Sequence, residues 1–318
     1  METINKLKKI IKAEILFWII IGLLLITTSC KKENQNNDIA YNFDTDVETN
    51  EAVTKQSSEF NAYWYAGEAE ISSYKLEQSR YGEIREGKAV LIYVSEDFLP
   101  YIQVKANNKK ANSIAVLKLN AIKKFNTGVY PYSIMQSTFY PISNNQHAIK
   151  VSSSIQEWCG HVYAQLNNKK EFEIMSHSYF EGEADKNFKL KKSILENELW
   201  TQLRINPKSL PTGNLEIIPS FEYSRLRHAP IKAYKASASL TESTYSINYP
   251  EINRTLIIQF NPNFPHDILG WEETFKSGFG ATAKVLTTKA SKLKTIKSAY
   301  WQKHSNNDET LRQTLKLD

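Results

Sequence analysis

Residues 89–94 read AVLIYV, an unbroken run of β-branched, aliphatic and aromatic side chains of strand length. IAVLKL at 114–119 and TLIIQF at 255–260 repeat the signal. Around these runs lie longer stretches that alternate apolar with polar residues, at 63–71, 133–140, 155–166, 172–180, 231–240 and 268–275. Turn-forming breaks separate them: Asn107-Asn108, Asn144-Asn145, Asn167-Asn168, Pro211-Thr212-Gly213 and Asn261-Pro262-Asn263. Asparagine tolerates positive φ, so Asn167-Asn168 marks a hairpin. Long alternating strands joined by short polar turns imply a mainly β (α+β) fold of long antiparallel, curved sheets with one wet face.

One helix interrupts the alternation. Ser193 precedes Ile194 and Leu195, and Glu196 follows three residues after it, a capping-box pattern. Ile194, Leu195, Leu199 and Leu203 share one helical face, and Pro207 stops the run. A second short helix is expected at 308–317. The helix over 191–204 divides two β-rich stretches, 58–190 and 205–318. Two half-barrel units joined through it, or one large half-barrel clasping it, both fit this pattern. No glycine-rich phosphate loop follows a strand and βαβ alternation is missing, which argues against a dinucleotide-binding or phosphate-loop enzyme.

The chain has 318 residues, 41% of them hydrophobic and 12% aromatic, with 17 Tyr, 14 Phe and 6 Trp, so it has the means to build a core. Two cysteines exclude a disulfide framework and a four-cysteine zinc site. The N-terminus carries a compartment signal. Lys6, Lys8, Lys9 and Lys12 precede residues 15–26, which are apolar except for Gly22. A helix of that length spans roughly 18 Å, against about 30 Å of bilayer hydrocarbon, so it suits a signal peptide better than a membrane span.

Thr27, Thr28 and Ser29 then lead into Cys30. Small residues directly before a cysteine resemble the lipobox of bacterial lipoproteins, although Thr27 stands where leucine is usual. The resemblance implies a signal peptide over 1–29, cleavage before Cys30, and acyl chains (palmitate among them) on its sulfur. Lys31, Lys32 and Glu33 resemble the charged export tag of surface lipoproteins in Bacteroidetes. The expected location is the outer membrane, lipid-anchored, with either face open. Residues 30–57 read as the lipidated cysteine and an acidic tether.

The whole chain carries +6. Residues 1–29 hold four lysines against two glutamates, and 31–57 hold three lysines against six carboxylates, which leaves the body at about +7. That charge suits anionic headgroups or polysaccharide. Nucleic acid is a poor partner for an exported protein. The partners expected are the bilayer, through the Cys30 acyl chains, and an outer-membrane complex, a lipid or a glycan. No cofactor is implied.

Three stretches, YWYAGEAEISSYKLEQSRYGEIREG (63–87), QEWCGHVYAQLN (156–167) and LWTQLRINPKSLPTG (199–213), resemble a flavobacterial envelope lipoprotein family that spans essentially the whole chain. Its members often carry the label septum formation inhibitor Maf. The Ser-rich, Arg-Arg loop of Maf nucleotide pyrophosphatases has no counterpart here. The resemblance therefore implies an envelope lipoprotein. Leu203-Arg204, Leu210-Pro211 and Gly213 also resemble a bacterial envelope family with a curved β-sheet fold akin to the lipoprotein carriers.

Glu157, Cys159 and His161 form the sharpest candidate cluster. On a continuous strand they would share one face about 6.5–7 Å apart, offering a thiolate–imidazole pair with a carboxylate nearby. The competing expectation is a buried free cysteine beside a core Trp158. His177, Tyr179, Glu181, Glu183 and Asp185 share a parity set and could join His161 in a metal-holding patch, although a solvated acidic face is the commoner arrangement and no metal is expected. Lys284, Lys289, Lys292, Lys294, Lys297 and Lys303, with Tyr300 and Trp301, read as a basic edge strand or as a headgroup- or glycan-facing patch. The aromatic clusters Tyr63-Trp64-Tyr65, Tyr130-Pro131-Tyr132 and Tyr245 with Tyr249 read as core. Three function classes follow: a non-enzymatic envelope binding or assembly component, a carbohydrate- or peptidoglycan-binding module, and a hydrolase using Cys159 and His161.

Overall fold

The structure is a computed structural model that describes residues 55–143 and 146–318. The signal peptide, Cys30 and the tether before Lys55 lie outside the described residues. Helix α1 (Ser58–Trp64) leads into β1 (Ala69–Arg80), β2 (Glu83–Leu99), the short β3 (Val104–Lys105), β4 (Ile114–Thr127), β5 (Tyr130–Pro141), β6 (Lys150–Glu157), β7 (Gly160–Asn168), β8 (Phe172–His177), β9 (Lys186–Leu190) and β10 (Ile194–Leu195). Helix α2 (Glu196–Ile205) follows, then β11 (Gly213–Ile218), α3 (Phe221–Arg227), β12 (Tyr234–Leu240), β13 (Thr244–Tyr249), β14 (Arg254–Phe260), β15 (Ile268–Ser277), β16 (Lys284–Ser298) and α4 (Thr310–Thr314). Among the described residues, no helix is long and apolar enough to cross a membrane.

The sheet runs β10-β11-β12-β13-β14-β15-β16-β1-β2-β4-β5-β6-β7-β8-β9, with β3 attached to the end of β2. Among the described residues, only the β10–β11 pair is parallel. The stretches 58–190 and 205–318 thus contribute to a single sheet, joined where β1 pairs with β16. Laid flat at about 4.8 Å per strand, this path would be roughly 67 Å wide. Yet its two ends, β9 and β10, are separated in sequence only by residues 191–193. Those residues reach about 14 Å at most. The sheet must therefore curl until its edges face each other. No ladder joins β9 to β10, so the curl stays open. This is the mainly β, curved and antiparallel architecture that the alternation implies.

Helix α2 sits inside the curl, with Glu196, Asn197, Glu198, Leu199, Thr201, Gln202, Leu203 and Arg204 all buried. Leu199 and Leu203 pack with the inward residues Tyr74, Leu91, Tyr93, Leu119, Ile134, Ile258 and Trp271 in the main core. Each such leucine contributes about 1.5–3 kcal/mol by burial. The polar residues of α2 act as anchors. The Arg204 guanidinium donates to both carboxylate oxygens of Glu70, at 2.7 and 2.6 Å, and its Nε donates to the Pro265 carbonyl at 3.0 Å. Trp64 and Tyr93 cover its faces, 5.0 and 4.6 Å from the ring centres. Glu196 receives both terminal nitrogens of Arg254, whose Nε reaches Glu273 at 2.6 Å. Asn197 donates to Gln136.

The start of α2 corrects the expected cap. Ile194 and Leu195 pair with Ile217 and Ile218, and the Ser193 hydroxyl donates to the Glu216 carbonyl. The helix begins two residues later, and the Glu198 carboxylate accepts from the Leu195 N–H at 3.0 Å. A second correction falls at 63–71. Tyr63 and Trp64 close α1, and β1 begins only at Ala69. A third concerns the lysines of β16. That strand lies between β15 and β1, so it is not an edge. Lys289 pairs with Glu272, Lys292 with Asp267, and Lys297 donates to the Tyr63 carbonyl. The C-terminal helix is shorter than the expected 308–317. Leu315, just beyond α4, packs on the outer face against Ala69, Ile71 and Val94.

Two cores result. The larger fills the concavity around α2. The smaller joins the two ends of the sheet: Leu166, Phe172 and Ile174 from β7 and β8 meet Leu195, Ile218 and Phe221 from the opposite end. Side-chain packing, without a backbone ladder, closes this seam.

Candidate functional site

Antiparallel order sorts the turns. Those at 81–82, 128–129, 158–159, 178–185 and 278–283 and the connection at 228–233 collect at one end of the curl. Helix α1, which opens the described body, precedes the opposite end of β1. At the turn-rich end the seam does not pack shut. A cleft of about 630 Å³ remains between β7–β9 and the segment running from α3 to β12. That volume suits a small organic ligand. Val162, Ala164, Phe188, Phe221 and Ile231 give it apolar walls, and Glu183, Asp185, Lys186 and Arg225 supply charge.

Helix α3 places the arginine. The Ser220 hydroxyl accepts from the Tyr223 N–H at 3.2 Å and starts the helix. His228, at φ 51°, ends it in the left-handed conformation. The single face turned to the cleft includes Phe221, Ser224 and Arg225. Arg225 is only 7% exposed and stacks 4.2 Å from the centre of the Phe180 ring. Its Nε and Nη1 are buried and have no hydrogen-bond partner, and the Ser224 hydroxyl has none either.

The acidic neighbours are already engaged. Glu183 accepts from the Ser178 hydroxyl at 2.6 Å and lies 2.5 Å from His228 Nδ1. Asp185 accepts from the Ser178 N–H at 3.2 Å and sits 3.3 Å from His177 Nδ1. The cleft therefore holds a buried cation whose local carboxylates are committed elsewhere.

The Glu157, Cys159 and His161 cluster stands outside the cleft lining and has a geometry that corrects the strand reading. Trp158 and Cys159 form a two-residue turn, closed by the Glu157–Gly160 pair. His161 pairs with Gln156 and shares with Ser154 a 3.1 Å contact through its Nε2. Glu157 and His161 thus fall on opposite faces. Among the described residues, no hydrogen bond joins Cys159 to His161. Trp158 is 69% exposed, so it is no core residue, and the Cys159 thiol is exposed as well. Glu157 accepts from the Cys159 N–H at 2.7 Å and from the Tyr179 hydroxyl at 3.0 Å. Hydrogen bonding to Glu157, with some burial and the carboxylate charge, pushes the Cys159 thiol up, away from the thiolate that a nucleophile needs. Burial and the same carboxylate push the Tyr179 hydroxyl up to about 12.

Glu181 takes no part in these contacts, and His161 lies outside them. Among the described residues, no group of three or more side chains could hold a metal ion. The residues proposed as a patch instead form separate pairs, His177 with Asp185 and Glu183 with His228.

A chain of aromatic rings runs outward from Phe180, which stacks on Arg225. Tyr179 packs on Phe180, Phe180 on His228, His228 on Phe279, and Phe279 on Tyr81, with centres 4.1 to 6.5 Å apart. Tyr179, Phe279 and Tyr81 are 44%, 54% and 37% exposed, so these side chains face solvent. By contrast Trp64, Tyr132, Tyr245 and Tyr249 are core, as the sequence suggests, whereas Tyr65 is exposed and Tyr63 and Tyr130 are half-buried.

Sequence reasoning missed Arg225 because 221–227 shows no alternation and is too short to stand out as a helix. Ser220 before FEYSRLR was the available signal. The hairpin at Trp158-Cys159 also left a trace. Buried positions run odd through Val151, Ser153 and Ile155, then even through Val162, Ala164 and Leu166. That change of phase marks a turn.

No family model matches the chain, and no curated protein matches it. Among solved structures it is similar to a crystal structure described as a β-barrel-like protein of a domain of unknown function, DUF1849, from Brucella abortus. The likeness has 7% identity and a TM-score of 0.43, over 72% of this chain and 97% of that one.

Proposed function

We propose that this chain is a lipid-anchored, non-enzymatic binding component of the cell envelope, and that the seam cleft is its ligand site. The observation that carries the reading is the open seam itself. Arg204 and Arg254 are fully paired inside the curl, whereas the seam leaves about 630 Å³ beside a partner-poor arginine at one end. Acyl chains on Cys30 would anchor the body to the bilayer through the tether. Cys159, with its thiol pushed up and no contact to His161, gives no support to a nucleophile.

Exposed rings at Tyr81, Tyr179 and Phe279 favour a second reading, in which these rings stack on a glycan. Native mass spectrometry of protein gently extracted from membranes tests both. The expected spectrum shows a chain starting at an acylated Cys30 and carrying a non-covalent adduct of a few hundred daltons or a short glycan. The adduct should vanish in Ala164→Trp, which fills the cleft. An unprocessed Met1 with a bare Cys30 would remove the anchor. An adduct-free wild type that also fails to bind added amphiphiles or oligosaccharides would remove the binding role.

A further inference from the structure

We propose that the seam cleft recognises a small organic anion, one carboxylate or phosphate head on an apolar body, with the head on Arg225. The inference rests on the binding reading above and gives that site its ligand class. A guanidinium nitrogen buried without an acceptor loses its hydration and gains nothing in return. Arg204 and Arg254 avoid that loss, and buried Arg80 leaves only its Nε without an acceptor while its other two guanidinium nitrogens reach the Leu226 carbonyl and the Tyr81 and Tyr132 hydroxyls. Arg204 and Arg254 place every guanidinium nitrogen on an acceptor, and four of these six contacts go to Glu70 and Glu196. Arg225 has two buried nitrogens with no acceptor, and the Ser224 hydroxyl beside it is likewise free.

The nearby acids lend charge but do not supply the missing acceptors. Glu183 and Asp185 are held by Ser178 and the two histidines, and Glu157 by the Cys159 N–H and Tyr179. The Phe180 ring covers one face of the guanidinium, which fixes its plane while leaving N–H groups to be filled. Val162, Ala164, Phe188, Phe221 and Ile231 then offer an apolar wall to whatever the head carries. An anion with an apolar body satisfies both halves. A cation leaves the arginine as it stands, and a neutral sugar offers it only uncharged acceptors.

Four probes sharing one eight-carbon chain separate head from body: octanoate, octyl phosphate, octanol and octylammonium. They are titrated into the full chain, held in nanodiscs of neutral lipid, with empty discs subtracted. Saturable binding of octanoate or octyl phosphate, about tenfold or more tighter than octylammonium, is the expected result. The tighter of the two anions identifies the head chemistry. Arg225→Met should bring octanoate down to the affinity of octanol and leave octanol unchanged. The comparison of probes on wild type needs no variant, so a misfolded Arg225→Met does not blunt the test. Equal binding of anion, alcohol and amine, blocked by Ala164→Trp, would overturn the anion assignment while the cleft remained a binding site. Failure of all four probes on folded protein would overturn both.

Discussion

Arg254 and Arg225 are both buried, both lie close to aromatic rings, and differ in what holds their charge. Arg254 reaches in from β14 to α2, spends every guanidinium nitrogen on Glu196 and Glu273, and lies 4.3 Å from the Tyr223 ring centre. Arg225 sits on α3 at the unclosed seam, leans on Phe180, and has two buried nitrogens with no acceptor. The interior arginine clamps the helix to the wall that surrounds it. The seam arginine clamps nothing. The difference separates charge that serves folding from charge that is free to serve a ligand.

The comparison breaks most visibly in the interior. Arg254→Met strands two buried carboxylates and should cost about 3–5 kcal/mol, read from denaturant unfolding followed by tryptophan fluorescence. Arg204→Met strands Glu70 alone, which keeps its 2.5 Å hydrogen bond from Tyr63, and should cost slightly less, about 3 kcal/mol. Acid acts on the same clamps. Burial would raise Glu70 and Glu196, but the adjacent arginine charges and hydrogen bonds outweigh it and hold both below the ordinary value of 4.5. Their contribution is therefore present above pH 4.5 and lost as pH falls through their lower folded values. Glu222 opposes them in sign, because burial raises it despite Lys123. Unfolding midpoints measured from pH 7 downward should fall below 4.5, and Glu70→Gln should flatten that decline.

Smaller effects sharpen the seam side. A methyl on Gly160 would sit 2.5 Å from the Tyr179 ring, so Gly160→Ala should push Tyr179 out of its place beside Glu157. The cost should be about 1–3 kcal/mol. The Cys159 thiol, held up by Glu157, should alkylate more slowly at pH 7.5 than in Glu157→Gln. Cys159→Ala should leave stability unchanged within about 0.5 kcal/mol, because the side chain is exposed.

Strand content was legible because one face of each strand is buried, and burial prints its period on the sequence. AVLIYV, IAVLKL and TLIIQF all lie in paired strands. Helix α2 was legible from Leu199 and Leu203, but its cap was not. Ser193 is chemically able to cap, and only the neighbouring β11 carbonyl diverts its hydroxyl. The run 155–166 misled because a two-residue hairpin costs the pattern no more than one change of phase. The site itself was half legible. Of the residues singled out by chemistry, Glu183 and Asp185 line the cleft, whereas Glu157, Cys159 and Tyr179 stand outside its lining. The cleft and Arg225 depend on where the sheet's two ends stop, which no local pattern records.

The central claim is that the seam arginine carries no structural load while its interior counterpart does. Equilibrium unfolding of Arg225→Met and Arg254→Met, run side by side without ligand, tests it most directly. The account predicts that Arg225→Met stays within about 1 kcal/mol of wild type while Arg254→Met loses about 3–5 kcal/mol. Equal losses in the two variants would contradict it.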